Sequence, residues 1–469
     1  MKTKIRFFTF LVIFILSFNS ISFAEAKSEI SINSPSSILI EATTGKVLYE
    51  KDANQRMYPA SMTKLLTAII ALEYFNPEDV IVVGREIYEI SWDSSKAGHK
   101  MDEAITVENL VRGLIIPSGN DTAVIIARAV AKKINGDVPM TFSESEKFFS
   151  SLMNEKAIEI GCTNSNFTNP HGYHDDEHYT TAKDMAKIAA EALKFDLIRQ
   201  VCGEKSYFGN SMGDSDNTGL ITNDYNWASH NSLITSGDYF YEYATGLKTG
   251  FTSQAGDCVA ASAQNDKLEL IAIVFQSEAP NRWIDAVTLF EYGFNNYQFA
   301  DLGKQDDIVG EVPLHNHKKE QGNALSLIIK ENITILIENS VLENIKTEIN
   351  ITNEDYIFTE FNKEKNIEEI KINAPILSDI ELGTIVYKNN NEIIAEVPIY
   401  SGRSVEEASF FEKILYELGD ISKQILTIKG LIIFIVSVLV VVIAIILIKY
   451  FKNRSTKNKY KFKKTRKRF

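Results

Sequence analysis

Tyr58-Pro59-Ala60-Ser61-Met62-Thr63-Lys64-Leu65-Leu66-Thr67 opens an apolar run of good helix formers that continues to Glu73. Pro59, just ahead of the run, is a helix-start signal. With Ser61 in the first turn, Lys64 stands three residues later on the same face, about one turn away. Its amine then comes within reach of the serine hydroxyl. An ordinary lysine is protonated near neutral pH and cannot act as a base. A partly buried lysine flanked by other cations has a lower pKa and can take the proton. Backbone N–H groups left free at the helix start would stabilise a developing oxyanion.

Two further motifs lie downstream. Ser118-Gly119-Asn120 follows Leu114-Ile-Ile-Pro117 and precedes an apolar helical pattern over residues 123–130. A loop at a helix entry can present its hydroxyl and amide to one cleft. Lys248-Thr249-Gly250 lies within Ala244-Thr-Gly-Leu-Lys-Thr-Gly-Phe-Thr252, ahead of the small, apolar Cys258-Val-Ala-Ala-Ser262. This predicts an edge strand with glycines where another backbone or a ligand must come close. Lys248 would supply positive charge for a carboxylate-bearing substrate and help depress the pKa of Lys64. Alone, S-x-x-K occurs by chance, S-G-N is a common turn and K-T-G is a modest strand-end signal. Their order and context favour catalysis over coincidence.

S-x-x-K, S-x-N and K-T-G in that order are the catalytic set of serine penicillin-recognising enzymes. The chain resembles the low-molecular-mass penicillin-binding proteins of the serine-type D-alanyl-D-alanine carboxypeptidase family, peptidase family S11. The likeness takes in Asn169-Pro-His-Gly-Tyr173, Tyr179-Thr-Thr-Ala-Lys-Asp-Met-Ala186 and Phe290-Glu-Tyr-Gly-Phe294, and covers roughly residues 34–294. It implies an α/β (α+β) β-lactamase/transpeptidase-like catalytic domain. It also implies that Ser61 is the nucleophile, Lys64 the general base, and Ser118 the relay of a proton to the leaving D-alanine. Asn120 would hold the substrate backbone, and Lys248 and Thr249 would bind near the terminal carboxylate. The N–H groups of Ser61 and Phe251 would form the oxyanion hole. Arg282 occupies the place where the family tends to carry an arginine facing the carboxylate, with a surface arginine as the alternative. His171 is a tempting base, but ordering a turn beside the cleft suits it better, since the mechanism already has a base.

The implied reaction removes the terminal D-alanine from peptidoglycan stem peptides ending in D-Ala-D-Ala, with β-lactams as covalent inhibitors and no metal or organic cofactor. Class A β-lactamases carry S-D-N and a separate deacylating glutamate. Here the motif is S-G-N, with no E-x-x-L-N-like segment between Ser118 and Lys248, so penicillin would trap the enzyme. A D,D-endopeptidase using the same residues is one alternative, and a non-catalytic cell-wall-binding protein is another. Polar stretches at 135–150 and 207–223 read as surface insertions.

The chain ends indicate where this chemistry takes place. Residues 1–26 carry Lys2, Lys4 and Arg6, an apolar run over 7–18 and Ala24-Glu25-Ala26, the pattern of a cleaved secretory signal. Residues 431–448 contain no charge and are long enough to span a membrane. The following 449–469 hold eleven Lys or Arg and no acidic residue, and such a tail stays cytoplasmic. The catalytic part would then face outward from the cell membrane on a single-pass C-terminal anchor. Of the net charge of −13, residues 1–26 contribute +2 and the tail +11, leaving −26 for the remainder. So acidic a body argues against nucleic acid as a partner.

Cys162, Cys202 and Cys258 make no disulfide framework and show no metal-ligand spacing with histidine. His171, His174 and His178 cluster, and a polar loop is favoured there over a metal site. The expected organisation is a signal peptide at 1–26, a catalytic domain at 27–300 and a β-rich domain at 301–404. An amphipathic connector at 405–428, a transmembrane helix at 429–448 and the basic tail would follow. Helices are expected over 144–160 and 181–195, and a buried strand over 268–275. Short β runs include Ser326-Leu-Ile-Ile, Ile333-Thr-Ile-Leu-Ile, Ile385-Val-Tyr and Ile393-Ile-Ala-Glu-Val, with Lys388-Asn-Asn-Asn391 as a separator.

Overall fold

A computed structural model describes residues 30–136, 138–211, 220–362, 365–414 and 428–465. The expected signal segment, residues 415–427 of the expected connector and residues 466–469 lie outside the described residues. The chain forms two compact units. One runs to Phe299 and takes in Leu336–Asn339, and the other is made of Ala300–Ile335 and the chain from Ser340 onward.

The first unit begins with the hairpin β1 (Ser36–Glu41) and β2 (Val47–Lys51), then helix α1 (Lys64–Tyr74). A small ladder, β3 (Val80–Val82) with β4 (Ala104–Thr106), leads into α2 (Val107–Ile115) and α3 (Asn120–Asn135). Helices α4 (Phe142–Glu159), α5 (Ala182–Ala192) and α6 (Asp196–Cys202) follow. After the pair β5 (Ser206–Asn210) and β6 (Asp224–Ala228) come β7 (Ala244–Thr252), β8 (Gly256–Gln264), β9 (Glu269–Ser277) and α7 (Asn281–Asn296). The main sheet has the order β2-β1-β9-β8-β7 and is antiparallel throughout.

The pleat explains its layering. Successive side chains of a strand point to opposite faces. Leu270, Ala272 and Val274 of β9 therefore join Leu39, Trp283, Leu289 and Phe290 in the core under α7. Ile271, Ile273 and Phe275 join Ile38, Met62, Leu65, Ile69 and Ala186 on the other side, under α1 and α5. Each fully buried side chain of this kind stabilises the fold by about 1.5–3 kcal/mol, so the central strand is held from both faces. The K-T-G strand β7 is the sheet edge, as its sequence suggested.

The expected 144–160 helix is α4, begun by a reciprocal capping box between Thr141 and Glu144. This corrects the reading of 135–150 as a surface insertion. From Phe142 on, the stretch is a helix that buries Ser145, Phe149, Ser150 and Met153 and leaves Ser143, Glu144 and Lys147 exposed. The 207–223 stretch is also partly built into the fold: Tyr207 to Asn210 lie in β5, and residues 212–219 lie outside the described residues. The expected 181–195 helix ends at Ala192, and Phe195 is extended before α6 begins.

In the second unit a seven-stranded sheet follows the order Ile345–Ile351, Glu381–Asn389, Glu392–Ser401, Ala324–Ile328, Ile308–His315, Ile367–Asn373, Ile357–Asn362. Leu325, Leu327, Ile372, Leu382, Ile385 and Ile399 form its core. The Asn cluster is a hairpin turn: Asn389 pairs with Glu392, and Asn390 takes φ 54°, a left-handed conformation asparagine tolerates. The helix Ile428–Thr465 contains Ile432–Tyr450, 19 residues long and apolar enough to serve as a membrane anchor. At 1.5 Å per residue that is about 28 Å, close to a bilayer's hydrocarbon thickness.

Candidate active site

Ser61 lies in a 3-10 turn, Ala60–Thr63, and the α-helix proper starts at Lys64. The sequence suggested one continuous helix. The tighter turn serves the pair better, because residues three apart eclipse in a 3-10 helix. Lys64 Nζ stands 2.8 Å from Ser61 Oγ. It also donates to Asn120 Oδ1 at 2.7 Å and to the His171 carbonyl oxygen at 2.9 Å. Those two oxygens can only accept. A neutral amine spends both N–H groups on them and is left with its lone pair facing the serine hydroxyl. Lys64 is fully buried. Burial first, and then the charge of Lys248, hold it well below the usual lysine range, with Asp121 opposing.

Ser118 and Asn120 come to the same place. Asn120 is the first residue of α3, and both side chains are buried. Ser118 has φ 61° and Ala60 has φ 47°, so two non-glycine residues of the candidate motifs take the left-handed conformation. Asp121 ties the turn down by accepting from the N–H groups of Ala97 (2.8 Å), Gly98 (2.8 Å) and His99 (3.2 Å).

Edge strand β7 closes the third side. A Cβ on Gly250 would stand 2.8 Å from the Pro59 carbonyl oxygen and 3.3 Å from Ser61 N. Only a glycine lets the strand lie against the Ser61 turn, and this close approach puts the K-T-G backbone beside the Ser61 N–H. The Phe251 side chain points to solvent at 63% exposure, so only its backbone is a candidate for the site. Lys248 and Thr249 are buried. Burial lowers the Lys248 pKa to about 7, with Cys202 opposing and Arg282 adding to the shift. Arg282 is 17% exposed, pairs with Asp257 at 2.6 Å and reaches the Gly250 carbonyl oxygen at 3.5 Å. It is built against the K-T-G strand and is not a free surface arginine.

The Asn169-Pro-His-Gly172 loop forms the floor. His171 contributes its carbonyl to Lys64, while its ring accepts from Tyr173 N–H at Nδ1 and faces Glu146 at 3.5 Å through Nε2. The ring orders the loop, as expected from the sequence. His178 bridges the Thr168 N–H and the Thr63 hydroxyl. Burial, followed by His171 and His174, pushes its pKa down to about 3, which makes it a neutral structural group.

Sequence reading missed His230. Burial and then the charges of Lys248, Arg282 and Lys64 lower its pKa. A lone histidine in Trp227-Ala-Ser-His-Asn231 carries no motif that could have singled it out. Asp121 was visible only as a neighbour of S-G-N. A cavity of about 710 Å³ lined by Phe75, Val82, Glu86 and Arg128 holds none of these groups. A smaller one of about 260 Å³, lined by Ser91, Ser94, His171 and Tyr173, adjoins the 169–172 loop.

A family model described as D-alanyl-D-alanine carboxypeptidase matches residues 23–279, and one described as the penicillin-binding protein 5 C-terminal domain matches 297–407. The D-alanyl-D-alanine carboxypeptidase DacF of Bacillus subtilis is 31% identical over 420 residues, covering 88% of this chain and 97% of its own. DacA of Haemophilus influenzae is 27% identical over 443 residues, covering 92% and 98%. Among solved structures, penicillin binding protein 5 from Haemophilus influenzae shares the fold with a TM-score of 0.57 at 24% identity, over 81% of this chain and 99% of its own. A mutant of the Streptomyces K15 DD-transpeptidase superposes with a TM-score of 0.51 at 28% identity, over 57% and 100%.

Proposed function

The chain belongs to the D-alanyl-D-alanine carboxypeptidase family, and on that premise we propose that Ser61, Lys64 and Ser118 are the residues that perform the reaction. The enzyme is a serine-type carboxypeptidase that removes the terminal D-alanine from peptidoglycan pentapeptide stems. The observation that best supports the assignment is the saturation of Lys64 Nζ by two carbonyl acceptors, which aims its lone pair at Ser61 Oγ.

In the first step Ser61 Oγ gives its proton to Lys64 and bonds to the carbonyl carbon of the penultimate D-alanine. The oxyanion is stabilised by the N–H groups of Ser61 and Phe251. As the peptide C–N bond breaks, Ser118 relays the proton held by Lys64 to the leaving nitrogen, and D-alanine departs as the free amino acid. Water then attacks the acyl carbon and gives a proton to Lys64, which returns it to Ser61 Oγ as the ester bond breaks. Asn120 holds the substrate backbone, and Lys248, Thr249 and Arg282 receive the terminal carboxylate. A β-lactam enters at the first step and stays on Ser61. Anchored through Ile432–Tyr450, with the basic tail in the cytoplasm, the catalytic unit acts outside the cell membrane.

The direct test is D-alanine release from a peptide ending Lys-D-Ala-D-Ala by the detergent-solubilised full-length chain. Ser61→Ala is expected to lose release by roughly 10⁴-fold or more and to lose the covalent adduct with a labelled penicillin. An undiminished Ser61→Ala would remove the assignment. Acylation of Ser61 without D-alanine release would move the reading to a D,D-endopeptidase.

The pH profile follows from the two lysines. The active state needs Lys64 neutral and Lys248 charged. Since a lysine is charged below its pKa, acid inactivates Lys64 and alkali discharges Lys248. With Lys248 at about 7 in the free enzyme, kcat/KM for a carboxylate-terminated peptide is expected to decline as pH rises through that value. The limb in kcat lies higher, because a bound carboxylate favours the charged amine. A C-terminally amidated peptide lacks the carboxylate and is expected to show no such alkaline limb; the same limb in both profiles would remove Lys248 from carboxylate binding.

A further inference from the structure

Ser118 keeps a left-handed conformation, φ 61°, that a serine holds only where its surroundings over-determine it. Asp121 accounts for part of that restraint. The rest leads away from the cleft to a fully buried chain of polar side chains that the reaction itself does not use. His99 Nε2 lies 2.9 Å from Thr122 Oγ1, and His99 Nδ1 lies 3.1 Å from Glu103 Oε1. Glu103 and Thr122 have no exposed surface. The Glu103 carboxylate also accepts from Lys100 N–H and Asn223 Nδ2, both at 2.9 Å, and from the Tyr225 hydroxyl. Burial alone would raise its pKa, but the bonds from His99, Tyr225 and Lys100 outweigh this and hold it below the usual carboxylate range.

An ionised carboxylate can only accept, so His99 carries its proton on Nδ1. Nε2 and the Thr122 hydroxyl are then hydrogen-bonded, with the donor set by whether the ring carries a second proton. Thr122 is in the first turn of α3, directly beneath the turn that carries the motif. A Cβ on Gly119 would stand only 2.5 Å from Thr122 Oγ1. The order carboxylate, imidazole, hydroxyl is that of a hydrolytic triad, but its hydroxyl is sealed from substrate, so the chain can act only by holding its neighbours.

We propose that Glu103, His99 and Thr122 form a positioning relay that locks the Ser118-Gly119-Asn120 turn in its reactive conformation. Through Asn120 it also sets one of the two acceptors that orient the Lys64 amine. The inference rests on the roles given above to Ser118 and Asn120.

Thr122→Val removes the hydroxyl at nearly constant volume, and Thr122→Ser keeps it. In the full-length chain, Thr122→Val is expected to lower both kcat for D-alanine release and the acylation rate by labelled penicillin by roughly 10- to 100-fold. KM should change by less than about threefold, because carboxylate binding by the K-T-G strand is untouched. Thr122→Ser is expected to stay within about threefold of wild type in every parameter. Glu103→Gln, whose amide nitrogen would face the Lys100 and Asn223 donors, should reproduce the kcat loss at unchanged KM and decides the matter if Thr122→Val fails to fold. A valine variant as fast as wild type would overturn the relay. So would equal activity losses in the serine and valine variants that track their thermal midpoints, since packing alone would then explain them. Failure of the parent assignment reads differently: wild-type D-alanine release would not depend on Ser61.

Discussion

Lys64→Arg abolishes measurable D-alanine release and slows acylation of Ser61 by labelled penicillin by roughly 10³-fold or more, the upper part of the range for loss of a general base. The substitution keeps positive charge and a long stem, so a purely electrostatic role for Lys64 would survive it. A base cannot survive it, because a guanidinium stays protonated at every accessible pH. It also presents no lone pair to Ser61 Oγ while donating to Asn120 Oδ1 and the His171 carbonyl. Stopped-flow acylation with thermal melts on the same samples separates lost chemistry from lost fold. Acylation within about tenfold of wild type would remove Lys64 as the base.

Gly172→Ala has the largest structural effect expected of any single methyl group near the site. Gly172 sits at φ 79°, and a Cβ there would lie 1.8 Å from the Ala60 carbonyl oxygen and 2.8 Å from Thr63 Oγ1. The first clash is backbone against backbone, so no side-chain rotation relieves it. Moving the 169–172 loop outward would withdraw the His171 carbonyl from Lys64, and moving Ala60 would displace Ser61. The left-handed penalty together with overpacking is about 2–5 kcal/mol, and activity should fall with it, even where the variant remains folded. Gly45 provides the control. Its φ is 69°, but a Cβ there meets nothing within 4 Å, so Gly45→Ala should cost only the conformational penalty and leave kcat unchanged. Chemical denaturation and D-alanine release on both variants test the pair. Equal losses would mean that φ alone, and not the approach to Ala60, explains Gly172.

Much of the site was legible in the chain because its signals are local. Pro59 ahead of an apolar run marks the turn at Ser61, and a serine and lysine three residues apart share a face whether the turn is 3-10 or α. The S-G-N loop at a helix entry and K-T-G on an edge strand are likewise short-range patterns, as is the Thr141–Glu144 capping box. That box lies inside the stretch read as an insertion, where polar composition masked the buried Phe149 and Met153. The apolar helix over Ile432–Tyr450 is legible for the same reason, since length and hydropathy need no partner.

Other features depended on residues far apart in sequence. The carbonyl that takes one hydrogen of Lys64 comes from His171, 107 residues on, and a backbone carbonyl has no residue type to betray it. His230 stood alone in its segment, and Glu103, His99 and Thr122 matched no motif until the fold set them in line. The sequence by itself brought forward the candidate residues: a serine and a lysine, a second serine and an asparagine, and a second lysine, in the order of the three motifs. Tertiary structure decided which proton each of them can hold, because proton affinity depends on burial and on neighbouring charge. It also decided how closely β7 and the 169–172 loop approach Ser61, because that distance is set by packing between segments that meet only when the chain is folded.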